Sequence, residues 1–311
     1  MTPTPEITPK SWLMVAILGF VWGSTFMMIE LALVGFPPFW LATLRLFVGA
    51  AVMGVAWAAT GFRLALDANR RPTWVALIWA GAISSGIPFL LLNWGQQHVT
   101  SGFAGTAMAA VPIFVLPLAH FLVAGERMRP RTVLGVALGV AGVWLLIGPD
   151  ALASSGADLE LWGRLACLGV AACYALNSIT IRRLPPVDPI GLTTLMLVFG
   201  GLITLPFSLA YEGVPPLPGA KPIAAMLFLG VISTAAMNLL RVLVIRSAGP
   251  SFLTLVNYQV PVWSVVLGAL VLNEALPASL LTALALILFG VALSQGAALR
   301  DLARSVFHPA R

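Results

Sequence analysis

Apolar residues run along this chain in long stretches that only short polar connections separate. A helix needs about 20 mostly apolar residues to cross a bilayer. Ten stretches approach that length, and together they use nearly the whole chain. They cover residues 11–30, 38–60, 73–93, 101–123, 131–148, 161–181, 190–210, 221–240, 250–272 and 279–298. The pattern therefore predicts an all-α membrane protein with ten transmembrane helices.

A few polar side chains interrupt these stretches far from the predicted helix ends. The segment SFLTLVNYQVPVWSV places Asn257, Tyr258 and Gln259 beside Pro261 inside the ninth stretch. A polar group left without a partner in hydrocarbon costs on the order of a few kcal/mol. Because polar groups at membrane depth usually mark a pathway, we expect a polar cavity within the helical bundle. The alternative is that they only join helices by hydrogen bonds.

The composition agrees with a membrane protein, since 59% of the residues are hydrophobic and only 9% are charged. Soluble domains carry about 25% charged residues. The longest connection, around 149–160, is too short to hold a folded domain, so any function lies inside the bundle or on its short loops. The only cysteines, Cys167 and Cys173, fall on different faces of one predicted helix. We therefore predict no metal site and no cofactor.

The positive charge follows membrane topology and does not form a nucleic-acid-binding surface. The net charge is +6, and all 17 lysines and arginines except Arg45, Arg164 and Lys221 fall at the termini or in alternate connections. This distribution obeys the positive-inside rule. It predicts a multi-pass protein of the cell (inner) membrane with both termini cytoplasmic and a short basic cytoplasmic tail over 299–311. We expect lipid and a small molecule as partners, no nucleic acid, and a monomer sufficient for function.

The two halves of the chain indicate an inverted repeat. We assign helices 1–5 to residues 1–148 and helices 6–10 to residues 149–298. Because each half has an odd number of spans, the second half enters the membrane upside down. A shift of 148 residues without gaps pairs Glu126 with Glu274. Inverted repeats are typical of secondary transporters, whose substrate site lies near the midplane where the halves meet.

Several short motifs resemble one family of membrane proteins. The segment ILGFVWGSTF opens the first span, Arg45 lies in FWLATLRLF, and Pro112 is followed by Glu126; Pro261 followed by Glu274 repeats the last pair. In this order and spacing they resemble the EamA-type repeat of the drug/metabolite transporter superfamily, and most of all the YddG-type exporters of aromatic amino acids and methyl viologen. The resemblance covers essentially the whole chain. It implies ten helices in two inverted halves that export amino acids or other metabolites.

The candidate substrate-pathway residues are aromatic rings, neutral amides and one hydroxyl. Trp22 and Thr25 share a face of the first helix near mid-membrane, and Trp79 and Asn93 follow helical spacing along the third. This chemistry suits a zwitterion with an apolar or aromatic side chain, because amides satisfy both its charged groups and rings pack on rings. The full set is Trp22, Thr25, Trp79, Asn93, Tyr174, Asn177, Asn238, Asn257, Tyr258 and Trp263.

A second group of residues is expected to shape or gate the bundle. Arg45 lies roughly 10 Å into the second span, and it has no counterpart in the second half. A structural bond to helix carbonyls or to Glu30 is the favoured interpretation, with a substrate carboxylate as the alternative. Glu126 and Glu274 sit at helix ends as caps or latches. The prolines that can bend helices are Pro88, Pro112 and Pro261.

No acidic residue lies near the centre of a predicted span, although proton antiport usually employs an embedded carboxylate or histidine. We therefore predict a secondary transporter that exports metabolites by alternating access at a midplane cavity, in a uniport-like manner. The alternative is a proton-coupled multidrug exporter of organic cations such as methyl viologen. An embedded enzyme would need a catalytic set at the span centres, and we identify no catalytic residues. A non-transporting scaffold would need neither mid-helix prolines nor buried amides.

Overall fold

The computed structural model describes residues 7–64, 72–122, 128, 130–147, 159–185, 187–215, 217–248 and 250–296. Ten long helices account for most of these residues, and no β-strand occurs among them. The helices are α1 Pro9–Leu33, α2 Pro38–Ala59, α3 Trp74–Gly95, α4 Ser101–Leu122, α5 Pro130–Ile147, α6 Glu160–Arg183, α7 Pro189–Glu212, α8 Ala220–Ile245, α9 Val256–Leu272 and α10 Ala278–Ser294. The fold is therefore all-α, as the hydrophobic pattern predicts.

Polar side chains at the helix starts explain where several helices begin. Thr8 and Ser11 form a reciprocal capping box at the start of α1. Thr73 and Thr100 accept backbone N–H groups from the first turns of α3 and α4, and Asp188 does the same for α7. These caps satisfy N–H groups that have no partner within the helix. Short polar connections thus suffice to end one apolar helix and start the next.

The helices have the length and composition of membrane spans. Eight of those described, α1 to α8, have at least 18 residues and a strongly apolar window. The remaining two, α9 and α10, have 17 residues each. At 1.5 Å per residue they are about 26 Å long, close to the bilayer hydrocarbon thickness of about 30 Å. The described residues therefore form eight helices that can span a membrane and two slightly shorter apolar ones, as expected for a membrane protein.

The packing of the helices repeats itself when the two halves are exchanged. α1 packs against α8 and α9, and correspondingly α6 packs against α3 and α4. α2 contacts α8 in the same way that α7 contacts α3. Three pairs, α2–α7, α4–α9 and α5–α10, join each helix to its own counterpart. This is the contact pattern of two similar five-helix halves related by an approximate two-fold axis.

Equivalent helices in the two halves also carry equivalent irregularities. α3 contains a π-helical turn over Ala82–Gly86, and α8 contains a π-helical segment over Phe228–Ala236. A turn at 109–110 interrupts α4. A turn at 254–255 separates α9 from the short helix Pro250–Leu253 that precedes it. A π turn disrupts the regular hydrogen-bond ladder and is common at functional sites. The irregular backbone in all four helices lies toward the centre of the bundle or close to the start of α9.

The helices α5 and α10 pack mainly against each other and have few contacts with the other helices. A Cβ atom placed on Gly135 would lie 2.5 Å from the carbonyl oxygen of Gly290. The two backbones therefore touch, in the manner of membrane helices that associate through small residues. This pair joins the two halves without contributing to the centre of the bundle.

Candidate functional site

A cavity of about 470 Å³ lies between the two halves of the bundle. Helices α1 to α4 and α6 to α9 line it, whereas no residue of α5 or α10 does. On α7, α8 and α9 its lining runs from the helix centres toward the end that carries Arg63, Arg131 and Arg183. We call this the arginine-rich end, and the other, which carries Glu212 and Glu274, the opposite end.

The π segment of α8 provides the polar wall of the cavity. The indole N–H of Trp22 donates to the backbone carbonyl of Ser233 over 3.0 Å. The side-chain amide of Asn238 donates to the carbonyl of Thr234 over 2.5 Å. Because a π segment leaves carbonyls outside the usual ladder, these bonds satisfy groups that the backbone geometry would otherwise expose to hydrocarbon. The wall is thereby both polar and fixed in position.

Arg45 is a buried cation that faces the same wall. Its side chain is only 5% exposed. Its Nε donates to the Thr234 hydroxyl over 3.0 Å, and its guanidinium carbon lies 4.2 Å from the centroid of the Phe89 ring. Its Nη1 is buried and has no hydrogen-bond partner among the described residues. A buried guanidinium with a spare donor is placed to bind a planar anion such as a carboxylate.

The bond expected between Arg45 and Glu30 does not form. Glu30 instead accepts a 3.3 Å bond from the side-chain amide of Gln96. The same amide donates to the carbonyl of Phe26 over 2.9 Å. Arg45 therefore makes its structural bond to a hydroxyl and an aromatic face, without a carboxylate from within the described chain.

Six of the ten pathway residues predicted from the sequence line the cavity: Trp22, Thr25, Tyr174, Asn177, Asn238 and Asn257. Arg45 and Pro261, from the group expected to shape the bundle, line it as well. The Oδ1 atom of Asn177 is buried without a hydrogen-bond partner within the ranges described. Asn177 and Arg45, which both line the cavity, thus each carry a buried polar atom that has no hydrogen-bond partner among the described residues.

Two predicted tryptophans lie away from the cavity. Trp79 is 51% exposed on the outer surface of α3. Trp263 packs edge-on against Phe20, with ring centroids 5.2 Å apart. Neither contributes to the lining. Both rings pack outside the cavity in this structure.

Asn93 and Tyr258 are also outside the lining. Asn93 is fully buried near the opposite end, where its side-chain amide donates to the carbonyl of Pro38 over 3.2 Å. Tyr258 packs against the main apolar core, and its hydroxyl has no partner in the part of the chain that the structure describes. Asn93 acts here as an interhelical bond, which is the alternative considered for polar groups of this kind.

Carboxylates from the second half hold the opposite end together. Glu274 accepts the backbone N–H groups of Ser101 and Gly102 over 2.7 and 3.0 Å, at the start of α4. Glu212 accepts those of Phe39 and Trp40 over 2.9 and 2.8 Å, at the start of α2. A carboxylate is stabilised at a helix N-terminus, where free N–H groups and the positive end of the helix dipole meet.

The remaining residues of the shaping group are the prolines and Glu126. Pro88 lies two residues after the end of the π turn of α3, and Pro112 lies two residues after the turn that interrupts α4. Proline cannot donate the N–H that a regular helix would need there, so it coincides with both irregularities. Glu126 lies outside the described residues.

Several residues that line the cavity are not among the pathway residues predicted from the sequence. Hydroxyl pairs occupy corresponding places in the two π segments, Ser84 with Ser85 in α3 and Ser233 with Thr234 in α8. Two adjacent hydroxyls in the middle of an apolar span, repeated 149 residues later, are a signal that could have found them. Further residues of the lining are Phe89, Met108, Thr193, Met196 and Arg241. Within the described ranges no group of three His, Cys, Asp or Glu residues is placed to hold a metal ion.

Several named transporters are similar to this chain in sequence, two of them over most of its length. The inner membrane transporter YedA of Escherichia coli K12, itself uncharacterized, is 29% identical over 286 residues, which is 89% of this chain and 87% of YedA. The uncharacterized transporter YoaV of Bacillus subtilis is 23% identical over 274 residues, or 87% and 91% of the two chains. A protein named "Probable terminal-alkyne amino-acid exporter" from Streptantibioticus cattleyicolor is 32% identical over 138 residues, 44% of each chain.

The fold is also that of a solved structure. A crystal structure of a protein with 22% sequence identity superposes with a TM-score of 0.61, over 94% of this chain and 99% of the other. The model of the EamA-like transporter family matches residues 10–148 and again 161–295. Since these two matches take in most of both halves, the chain belongs to the EamA-like transporter family of the drug/metabolite transporter superfamily.

Proposed function

We propose that this small-molecule transporter exports metabolites across the cell membrane, foremost amino acids with aromatic or apolar side chains. The observation that carries this proposal is the buried guanidinium of Arg45, which lines a cavity of mostly neutral and aromatic side chains and whose Nη1 has no hydrogen-bond partner among the described residues. That group matches the carboxylate of an amino acid. The open Oδ1 of Asn177 suits an ammonium group, and the rings of Trp22 and Phe89 suit an apolar side chain.

The two ends of the bundle support transport by alternating access. On α6 to α9 the cavity lining extends toward the arginine-rich end, while carboxylate caps and the buried amides of Asn93 and Gln96 join the helices at the opposite end. By the positive-inside rule the arginine-rich end is cytoplasmic, together with both termini. On this proposal the substrate enters from the cytoplasm, and the two halves then rock to expose it on the other side.

The chemistry of the lining favours a uniport-like mechanism over proton exchange. None of the described residues that line the cavity is acidic or a histidine. A proton relay needs such a group at membrane depth, and an organic cation such as methyl viologen would be stabilised by one. Two arginines in the lining instead repel a cation. The amino-acid exporter of Streptantibioticus cattleyicolor, similar over part of its length, agrees with amino acids as the substrate class.

Transport by the purified protein in proteoliposomes tests the proposal. We would measure uptake of labelled phenylalanine, tryptophan, threonine and methyl viologen with and without a pH gradient. We expect saturable flux of the aromatic amino acids that does not depend on the gradient. Flux should fall at least fivefold in Trp22→Ala, because this ring forms part of the cavity wall. Trp79→Ala is the matched control, since Trp79 lies on the outer surface.

The possible outcomes separate the alternatives. Flux that requires an opposing proton gradient would overturn the uniport mechanism. Flux of methyl viologen alone would overturn the substrate class. Equal loss of flux in Trp22→Ala and Trp79→Ala would show that the cavity is not the transport site.

A further inference from the structure

The cavity holds a second arginine that the proposed mechanism does not use. Thr234, Asn238 and Arg241 succeed one another at spacings of four and three along α8, so they share one face of the helix. Arg45 binds Thr234 at the inner end of this row, and Arg241 stands about 10 Å farther toward the arginine-rich end. No described residue forms an ion pair or hydrogen bond with the side chain of Arg241.

The acidic residues that the structure describes are all engaged elsewhere. Glu30 binds Gln96, and Glu160 forms an ion pair with Arg164. The other three, Asp188, Glu212 and Glu274, accept backbone N–H groups at helix starts. None of these five lines the cavity. The described part of the cavity wall therefore carries two positive charges and no negative one.

Two unpaired cations affect the transport cycle most strongly when the cavity closes. While the cavity is open, water can solvate both guanidinium groups. Alternating access requires an occluded state, and water that is displaced there no longer compensates the charge. A negatively charged substrate does compensate it. A zwitterion brings an ammonium group as a third cation, and at roughly 10 Å a like charge in a protein interior lowers occupancy on the order of tenfold.

We propose that the cavity selects net-anionic carboxylates over zwitterions, and that their export is electrogenic. The favoured substrates are the N-acylated or deaminated relatives of aromatic and apolar amino acids, which keep the ring and the carboxylate but lack the ammonium charge. This inference rests on the proposed export function and narrows its substrate class. Arg45 binds the carboxylate, and Arg241 sets the preference for net negative charge.

An anionic substrate also gives the transporter a driving force. A cell interior is electrically negative, so the membrane potential expels a monoanion without any coupling ion. The outward concentration ratio at equilibrium is about 50-fold per 100 mV, from about 2.3 kcal/mol for each charge. Export against a gradient then needs no proton-binding carboxylate, in agreement with the acid-free lining.

The test compares three ring-bearing probes in the same proteoliposomes: N-acetylphenylalanine as the anion, phenylalanine as the zwitterion and phenethylamine as the cation. A potassium diffusion potential set with valinomycin supplies the voltage. We expect N-acetylphenylalanine to move about tenfold faster than phenylalanine and phenethylamine to move slowest. The flux of the anion should reverse direction with the sign of the voltage, with one negative charge moved per molecule, whereas the flux of the zwitterion should not respond to the voltage.

Variants assign the preference to Arg241. Arg241→Gln should reduce the ratio of anion flux to zwitterion flux at least fivefold, and Arg241→Lys should keep most of it because the charge remains. Lys221→Gln is the matched control, since it removes an exposed positive charge at the start of the same helix. Size-exclusion profiles of all variants establish that they are folded.

The results distinguish this inference from the proposed function. Phenylalanine flux equal to or faster than that of the acetylated probe, without voltage dependence, would overturn the inference and leave amino-acid export standing. An unchanged flux ratio in Arg241→Gln would also overturn it. Absence of flux for all three probes would overturn the proposed function and this inference together.

Discussion

Helices α3 and α8 occupy equivalent places in the two halves, yet their final turns serve opposite purposes. Both contain a π segment, and Ser85 in α3 and Ser233 in α8 are 148 residues apart. Past this point the last turn of α3 contains Asn93, which is buried and whose side-chain amide donates to the carbonyl of Pro38. The residue 148 positions later is Arg241, which lines the cavity. The same local backbone therefore leads into a closed end in one half and into an open end in the other.

This difference shows that the asymmetry of the molecule lies in the contacts between the halves. A π segment is present in both α3 and α8, although α3 leads to the opposite end and α8 to the arginine-rich end. The closed end is defined by hydrogen bonds that cross between the halves, among them those from Ser101 and Gly102 to Glu274. An alternating-access cycle would have to break these bonds and form others at the arginine-rich end. Variants at individual contacts can test each part of this comparison.

The largest expected effect is at Arg45, which joins α2 to the π segment of α8. Arg45→Gln should reduce the initial rate of phenylalanine efflux about 100-fold, because a charged hydrogen bond of about 1.5–3 kcal/mol and a cation–π contact of about 0.5–2 kcal/mol are lost together. The efflux rate of Arg45→Lys should lie between those of the wild type and Arg45→Gln, since lysine keeps the charge but not the forked geometry. Efflux from Arg45→Gln that equals the wild-type rate would remove Arg45 from the substrate path.

The second largest effect is expected for Glu274→Ala, which should open the opposite end more often. Loss of the carboxylate leaves the N–H groups of Ser101 and Gly102 without their acceptor. A charged hydrogen bond is worth about 1.5–3 kcal/mol, so we expect the opposite end to open at least tenfold more often. A cysteine introduced as Ala104→Cys, with Cys167 and Cys173 replaced by serine, reports this as faster labelling by an impermeant maleimide.

Glu160→Ala is the control for this experiment. Glu160 is paired only with Arg164, one turn away on the same helix, and its carboxylate is largely exposed. Exposed pairs contribute roughly 0–1 kcal/mol, so the labelling rate should change less than threefold. Equal labelling rates in both variants would mean that Glu274 caps α4 without holding the end closed.

A smaller effect is expected from Trp22→Phe, which keeps the ring but removes the N–H bonded to the Ser233 carbonyl. One hydrogen bond contributes about 0.5–1.5 kcal/mol, so efflux should fall about fivefold. Trp79→Phe should leave efflux unchanged, because its ring faces outward. Parallel efflux assays of the two variants compare a cavity tryptophan with a surface one.

The smallest expected effect is a difference in thermal stability between variants in the π segments of α3 and α8. The Ser85 hydroxyl lies 3.1 and 3.0 Å from the carbonyls of Gly81 and Met196, whereas the Ser233 hydroxyl has no partner among the described residues. Ser85→Ala should lower the melting temperature by about 2–4 °C, from the loss of about 1 kcal/mol. Ser233→Ala should not lower it. Thermal unfolding of the two purified variants measures the difference, and equal melting temperatures would contradict this assignment.

The sequence predicts the number and the limits of the helices well, because hydrocarbon demands long apolar runs and the connections are short and polar. It predicts less well which face of each helix points inward. Lipid is as apolar as the protein core, so a residue such as Trp79 can face either one. Asn177 and Asn238 are safer predictions, since an amide is unfavourable against lipid.

The geometry of α3 gives a second reason why Trp79 and Asn93 do not share a face of the helix. Trp79 and Asn93 share a face only if the helix between them is regular. The π turn at Ala82–Gly86 changes the phase between them, so that Trp79 points outward while Asn93 is buried. A π turn has no distinct sequence signature in an apolar run, and this shift could not be read from spacing alone.

The π turns also have a consequence for chain length. A π turn closes its hydrogen bond one residue later than an α turn, so each one is equivalent to a single inserted residue. Deletion of one residue within Ala82–Gly86 would turn the π turn into a regular α turn and would leave Asn93 and Gln96 facing their partners. Alignments between relatives of this chain therefore require a one-residue gap wherever a relative has a regular helix at this point.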